Sequence, residues 1–267
     1  MSRRPTVRWA VAGALLAISA ASVVHAPARW LDMLLQRASS DRVRLLQPHG
    51  SLWAGSGVLR IQGQGAALDL PGRLQWTLAA DPTLPGLRLE LRPDCCTKHP
   101  WLLTLRWREG SFWLEGQPWQ AWLDLAWLQA LGAPWNTIGL QGQAQLQIQG
   151  LHWRLGDVAA AHTPRANQLQ AQLDLRDVGA AVSPLRPLGH YRLTFSHSSS
   201  QAGPTFTLTT LTGDLQLHAE GGWPDGRLTL RGLAEANPER LDALSNLLNL
   251  LGRRDGLRAH LRIGNPA

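Results

Sequence analysis

The chain has 267 residues, 44% of them hydrophobic, and thirteen tryptophans, which excludes an intrinsically disordered protein. The net charge of +7 comes almost entirely from arginines, since Lys98 is the only lysine. These arginines are scattered singly through the chain, whereas nucleic-acid-binding proteins cluster their basic residues on one element. The composition therefore predicts a folded protein with no nucleic-acid partner and a weak attraction to anionic lipid headgroups.

The first feature along the chain is an uncharged apolar run, residues 9–24. A bilayer core of about 30 Å needs about 20 apolar residues in a helix, and the run reaches that length if Ala26 and Ala28 are counted. A cleaved secretory signal is the alternative, with cleavage after Ala26, but Pro27 in the next position favours an uncleaved anchor. The predicted anchor side chains are Trp9, Leu15, Leu16, Ile18, Val23 and Val24.

Basic residues on the N-terminal side of this run predict its orientation. Arg3, Arg4 and Arg8 precede it, and the positive-inside rule retains such residues in the cytoplasm. Both interpretations of the run therefore export the remaining chain. In a bacterium this predicts a single-pass inner-membrane protein with a cytoplasmic N-terminus and a periplasmic bulk.

Three segments follow from this division of the chain. Residues 1–28 form the cytoplasmic N-terminus and transmembrane anchor, 29–48 a short membrane-proximal helix and linker, and 49–267 a periplasmic β-rich domain. Trp30, Met33 and Leu34 recur at helical spacing, which predicts a short helix along the membrane surface.

Period-two alternation of apolar and polar residues dominates the third segment. Leu87, Leu89 and Leu91, for example, alternate with charged residues. Turn residues separate such segments every ten to twenty positions, which leaves too little chain for the crossover helices of a parallel sheet. The pattern predicts a mainly all-β protein built as an antiparallel meander.

Two stretches within this domain have helical spacing. Between Trp119 and Leu131 a helix of about ten residues fits the apolar stripe, although residues 118–125 also fit a strand. A second helix begins at Asn237 as its N-cap and ends at Gly252. Its stripe of leucines predicts that it packs against the sheet.

The only two cysteines, Cys95 and Cys96, are neighbours in the chain. A vicinal disulfide, bonds to another chain and two buried thiols all remain open. A structural pair in a turn is favoured over a redox or metal site, because no further cysteine or histidine stands at zinc-ligand spacing.

No catalytic constellation is recognisable in the sequence. The nine histidines are dispersed, and Ser56 stands in Gly55-Ser56-Gly57 instead of a nucleophile elbow. The sequence therefore predicts a protein that is not an enzyme and binds no cofactor or metal.

Several short stretches, in their order along the chain, resemble the type II secretion system protein N family (general secretion pathway protein N). They are residues 26–28 (APA), 50–55 (GSLWAG), 131–137 (LGAPWNT), 183–185 (SPL), 187–193 (PLGHYRL), 250–256 (LLGRRDG) and 262–264 (RIG). The family-motif and interaction candidates are Gly50, Leu52, Trp53, Gly55, Pro134, Asn136, Leu244, Leu248, Gly252, Asp255 and Gly256.

The resemblance implies a non-catalytic inner-membrane protein of the apparatus that moves folded proteins across the outer membrane. It implies other type II secretion subunits as partners, in the inner-membrane platform or the secretin, together with membrane lipid. The implied fold is similar to AsmA-like proteins, an elongated and curled sheet with one or two amphipathic helices. The alternative function is a carrier of lipid or another hydrophobic ligand, with Trp76, Trp101, Trp107 and Trp113 lining a concave face.

Overall fold

A computed structural model describes residues 4–62, 67–82, 85–108, 110–126, 138–155, 167–198, 203–224 and 227–264. Its helices are α1 (Arg4–Val24), α2 (Arg29–Ser39) and α3 (Leu241–Leu251), the last preceded by a 3₁₀ turn over Pro238–Arg240. Its strands are β1 (Val43–Gly50), β2 (Ala54–Gln62), β3 (Ala67–Asp69), β4 (Leu74–Ala80), β5 (Gly86–Pro93), β6 (Trp101–Arg108), β7 (Ser111–Gly116), β8 (Trp119–Asp124), β9 (Leu140–Leu155), β10 (Gln168–Ala180), β11 (Gly189–Ser198), β12 (Thr205–Gly213), β13 (Leu215–Gly222), β14 (Thr229–Ala236), β15 (Arg253–Asp255) and β16 (Arg258–Ile263).

These strands form one antiparallel sheet, which confirms the predicted meander. The order is β1-β2-β4-β5-β6-β7-β9-β10-β11-β12-β13-β14-β16-β15, with β3 paired to β2 and β8 to β9. Nearly every strand therefore pairs with its neighbour in sequence, as expected for short connections. The sheet begins at Val43, inside the segment 29–48 that the sequence assigned to helix and linker.

The register places the apolar side chains of these strands on one face, because directly paired residues share a face. In the N-terminal half, Trp76 pairs with Leu91 and Leu91 with Trp101. In the C-terminal half, Leu193 pairs with Leu208. Glutamine, threonine and charged side chains occupy the opposite face, which we call the polar face.

One tryptophan assigned to the apolar face lies on the other one. Trp113 pairs with Arg106 and Arg154, and the Arg154 guanidinium carbon lies 5.8 Å from its ring centroid. Trp113 is one residue out of step with Leu114, so strand alternation turns it to the polar face. The prediction for Trp113 is therefore wrong, whereas Trp76 and Trp101 lie on the apolar face as predicted.

The helix predicted from Trp119 is a strand over its first six residues. Strand β8 continues β7 along β9 in the same register, since Gly116 pairs with Leu151 and Trp119 with Ile148. The stretch is too short to distinguish the two-residue period of apolar side chains in a strand from the 3.6-residue period in a helix. Hydrogen bonding to the long strand β9 stabilises the strand. Residues 127–131 of the predicted helix lie outside the described residues.

The two predicted amphipathic helices pack at opposite ends of the sheet. Helix α3 buries Leu244, Leu247 and Leu248 in a core cluster with the last strands. Helix α2 contributes half-buried Leu31 and Leu35 to a smaller cluster around Leu45 and Trp76. Asn237 caps the 3₁₀ turn before α3, because its side chain accepts a hydrogen bond from the Glu239 N–H group.

Helix α1 precedes α2, and its apolar side chains are exposed; those of Trp9 and Leu16 are 78% and 73% accessible. In the part of the chain that the structure describes, no helix has both the length and the hydropathy that crossing a membrane requires.

The neighbouring cysteines form a disulfide, the first of the three alternatives. The Cys95–Cys96 bond lies in the turn between β5 and β6, and Cys96 has a positive φ of 71°. The Cys96 carbonyl accepts a hydrogen bond of 2.7 Å from the Trp122 N–H group of β8. Strand β8 pairs with β9 along one edge, and this turn therefore lies along its other edge.

Candidate interaction surfaces

Two of the stretches that carry the family resemblance meet at the start of the sheet. The Leu52 N–H group donates to the Ala26 carbonyl over 2.8 Å, and the Ala28 N–H group donates to the Gly50 carbonyl over 3.1 Å. Pro27 and Ser51 form an isolated antiparallel bridge between them. Residues 26–28 and 50–52 therefore pair as a short ribbon that fixes the chain after α1 to the sheet.

Tryptophan side chains complete this N-terminal junction. The indole N–H of Trp53 donates to the Val23 carbonyl of α1 over 2.9 Å, and that of Trp76 donates to the Leu52 carbonyl over 3.1 Å. Gly55 has no room for a side chain, because a Cβ atom there would lie 2.5 Å from the Trp76 ring. Gly50 has a positive φ of 87°, which favours glycine.

Helix α2 covers the outer edge of β1 with polar side chains. The Asp32 carboxylate accepts from the Leu45 N–H group over 2.8 Å, and the Ser39 hydroxyl accepts from the Val43 N–H group over 2.9 Å. These contacts block further strand pairing at this edge. Neither Asp32 nor Ser39 was predicted, and for Asp32 nothing local in the helix indicates a partner thirteen residues away.

The opposite face of α2 forms, together with α1, an exposed apolar surface. Trp30, Met33 and Leu34 are exposed on α2, between Arg29 and Arg37 at its two ends. On α1 the exposed apolar side chains are Trp9, Val11, Leu15, Leu16, Ile18, Val23 and Val24. The predicted anchor residues are therefore all exposed, whereas Arg3 and the side chains of Arg4 and Arg8 lie outside the described part of the chain.

Two further stretches of the resemblance meet at the other end of the sheet. The Ser183 hydroxyl donates to the Ala243 carbonyl of α3 over 3.1 Å, and Leu188 packs in the same cluster as Leu244 and Leu248. Leu244 and Leu248 are fully buried, so the structure places these candidates in the core of the C-terminal junction. Helix α3 thus docks within its own chain.

The turn after α3 uses the glycines named from the sequence. Gly252 lies against the backbone of His260, where a Cβ atom would come within 2.8 Å of the His260 carbonyl carbon. Gly256 has a positive φ of 60° in the turn that joins β15 to β16, and Asp255 pairs with Arg258 across it. Pro134 and Asn136 lie outside the described residues.

The perturbed ionisable groups have structural explanations. Hydrogen bonds from the Arg192 guanidinium hold the pKa of the Asp174 carboxyl below its ordinary value, and Arg60 does the same for Asp69. Burial raises the pKa of Tyr191, whose hydroxyl donates to the Leu215 carbonyl over 3.0 Å. The described residues contain no group of three or more potential metal ligands.

An open antiparallel sheet with a helix packed at each end, and a further apolar helix exposed before it, defines the protein as mainly β. The chain belongs to the type II secretion system protein N family, whose model matches residues 41–260. Membership gives the protein a role in type II secretion and associates it with the cell envelope. Comparison with curated proteins and with solved structures gives no match.

Proposed function

We propose that this protein is a non-catalytic component of the type II secretion apparatus, held at the inner membrane by its N-terminal segment. The exposed apolar surface of α1 and α2 carries the proposal, since such a surface next to arginines suits a bilayer and its anionic headgroups. Residues 1–24 form the attachment in this proposal, and α2 lies along the membrane surface. The sheet extends into the periplasm, where it contacts subunits of the platform or the secretin.

The N-terminal junction supports this arrangement. Because the Trp53 indole and the ribbon between residues 26–28 and 50–52 hold the end of α1, the sheet keeps a fixed position relative to the attachment. A component that positions other subunits needs such a rigid connection. A flexible linker, in contrast, would only concentrate the domain near the membrane.

Fractionation and reporter fusions test the attachment and the topology. Leu16→Arg should release the full chain from membranes under carbonate extraction, whereas the matched variant Gln216→Arg on an exposed strand position should leave it bound. Alkaline phosphatase fused after Gly57 or Gly150 should be active. Stable but inactive fusions would overturn the periplasmic assignment, and a wild-type chain extracted by carbonate would overturn the anchor.

A specific observation favours carriage of a hydrophobic ligand as a second candidate function. Trp107, Phe112 and Leu155 pair in one row across β6, β7 and β9 on the apolar face, and all three are exposed. The Trp107 and Phe112 rings contact each other edge to face, with centroids 4.6 Å apart. Native mass spectrometry of the purified chain tests this candidate, which predicts a bound lipid that is lost in Trp107→Ala but retained in Trp113→Ala.

A further inference from the structure

The polar face at the centre of the sheet carries an array of glutamines with free amides. Gln120 of β8 pairs directly with Gln147 of β9, and Gln149 follows two residues along the same strand. The side-chain amides of these three residues make no hydrogen bond to another described residue. Each amide offers two donor hydrogens and two acceptor lone pairs, so the array presents many unused hydrogen-bonding groups at fixed spacing.

A cavity of about 450 Å³ lies over this array. The three glutamines line it together with Lys98, His99, two prolines and the apolar side chains of Trp119, Trp122 and Ile148. The Lys98 ammonium lies 5.3 Å from the centroid of the Trp122 ring. The volume of the cavity falls within the range of about 300–1,000 Å³ that is typical of small-molecule sites.

The turn that holds the vicinal disulfide positions one wall of the cavity. The Cys96 carbonyl accepts from the Trp122 N–H group, and the His99 carbonyl accepts from the Trp119 indole over 3.0 Å. These two bonds fix residues 96–99 beside β8. The backbone of the wall and of the glutamine floor is therefore held in place before a ligand binds.

The chemistry of the site selects a class of ligand. A lipid tail would cover the three glutamine amides without giving them hydrogen-bond partners, and a nucleic acid requires a cluster of cations where this site has only Lys98. An added peptide strand pairs with a sheet edge and not with its face. A saccharide fits, because its hydroxyl groups both donate and accept hydrogen bonds and its C–H face packs on an indole ring.

We propose that the cavity over Gln120, Gln147 and Gln149 binds a glycan chain. The amides bond the sugar hydroxyls, the Trp122 ring packs against a sugar face, and Lys98 donates to a ring substituent. The same sugar chemistry occurs in the peptidoglycan and in the polysaccharide of the outer membrane. Binding to either of these polymers would hold the sheet at a fixed layer of the envelope.

Binding assays on the full chain in detergent test the proposal. Co-sedimentation with purified peptidoglycan sacculi, titration with lipopolysaccharide and titration with chitotetraose give the three probes. We expect saturable binding to at least one, weakened at least tenfold by Gln147→Ala and by Trp122→Ala. Gln216→Ala is the matched control, because that glutamine is exposed on the same sheet but its amide is bonded to the Gly213 carbonyl.

Each outcome bears on the proposal. Binding to sacculi and chitotetraose alone identifies peptidoglycan as the source, and binding to lipopolysaccharide alone identifies the outer membrane. The melting temperature of Gln147→Ala should equal that of the wild type, so lost binding in this variant reports on the site. The proposal is overturned if the chain binds none of the three probes, or if Gln147→Ala and Trp122→Ala leave the binding unchanged.

Discussion

The two ends of the sheet are closed by helices of equal length that are attached in different ways. Helix α3 buries three leucines completely, whereas α2 buries no side chain fully and bonds the edge strand β1 through Asp32 and Ser39. The C-terminal end is thus a small hydrophobic core, while the N-terminal end is a polar edge cap below an exposed apolar surface. Folding stability should concentrate at the α3 end, and attachment to other structures at the α2 end.

The largest expected effect is at the C-terminal end. Leu248→Ala should lower the free energy of unfolding by about 2–5 kcal/mol, because it leaves a cavity in a fully buried site. Leu31→Ala, at a half-buried site of α2, should lower the free energy of unfolding by clearly less than Leu248→Ala. Chemical denaturation of both variants measures this difference, and equal losses of unfolding free energy would show that the two ends contribute equally to stability. Unchanged abundance with lost secretion in Leu248→Ala would instead make α3 a partner site.

A smaller effect is expected from Gly55 at the N-terminal junction. In Gly55→Ala the new methyl group meets the Trp76 ring, and such overpacking costs about 1–3 kcal/mol. Gly150→Ala is the control, since a Cβ atom at that strand position has no described atom within 4 Å. If thermal unfolding shows no difference between the two variants, the packing of Trp76 against Gly55 does not limit stability at this end.

The contribution of the middle of the sheet to folding stability should depend on pH. Asp174 has a lowered pKa, mainly through hydrogen bonds from Arg192, so its contribution to stability is complete above the ordinary carboxyl pKa of about 4. That contribution is lost as the pH falls through the lower folded-state pKa. Asp174→Asn should therefore be less stable than the wild type at pH 7, and the difference should shrink on acidification. A constant difference down to pH 2 would contradict this explanation.

The sequence predicted the sheet well because alternation is a local property of the chain. The apolar face, the meander and the helical segment that begins after Asn237 all follow from residues within a few positions of one another. The neighbouring apolar residues Phe112, Trp113 and Leu114 break the alternation, so the face of Trp113 depends on pairing with β6 and β9.

The two junctions were not predictable in the same way. Residues 26–28 meet residues 50–52, and Ser183 meets Ala243 sixty positions later. The sequence indicated a helix around Ala243 and an anchor ending near residue 28, but not that these segments contact Ser183 and residues 50–52. Their role is set by contacts between distant segments, which no periodicity within one segment encodes.

The smallest effect is expected at the disulfide, in the turn between β5 and β6. A bond between neighbouring residues closes almost no loop, so it removes little entropy from the unfolded chain, and the double variant Cys95→Ser/Cys96→Ser should lose less than about 1 kcal/mol. The Trp122 N–H bond to the Cys96 carbonyl does not require the sulfur atoms and should persist. Denaturant midpoints of the wild type with and without reductant, compared with those of the double variant, measure the effect. The turn contacts both the Pro71 carbonyl before β4 and the edge of β8. A loss of several kcal/mol in the double variant would mean that the disulfide stabilises the sheet through these two contacts.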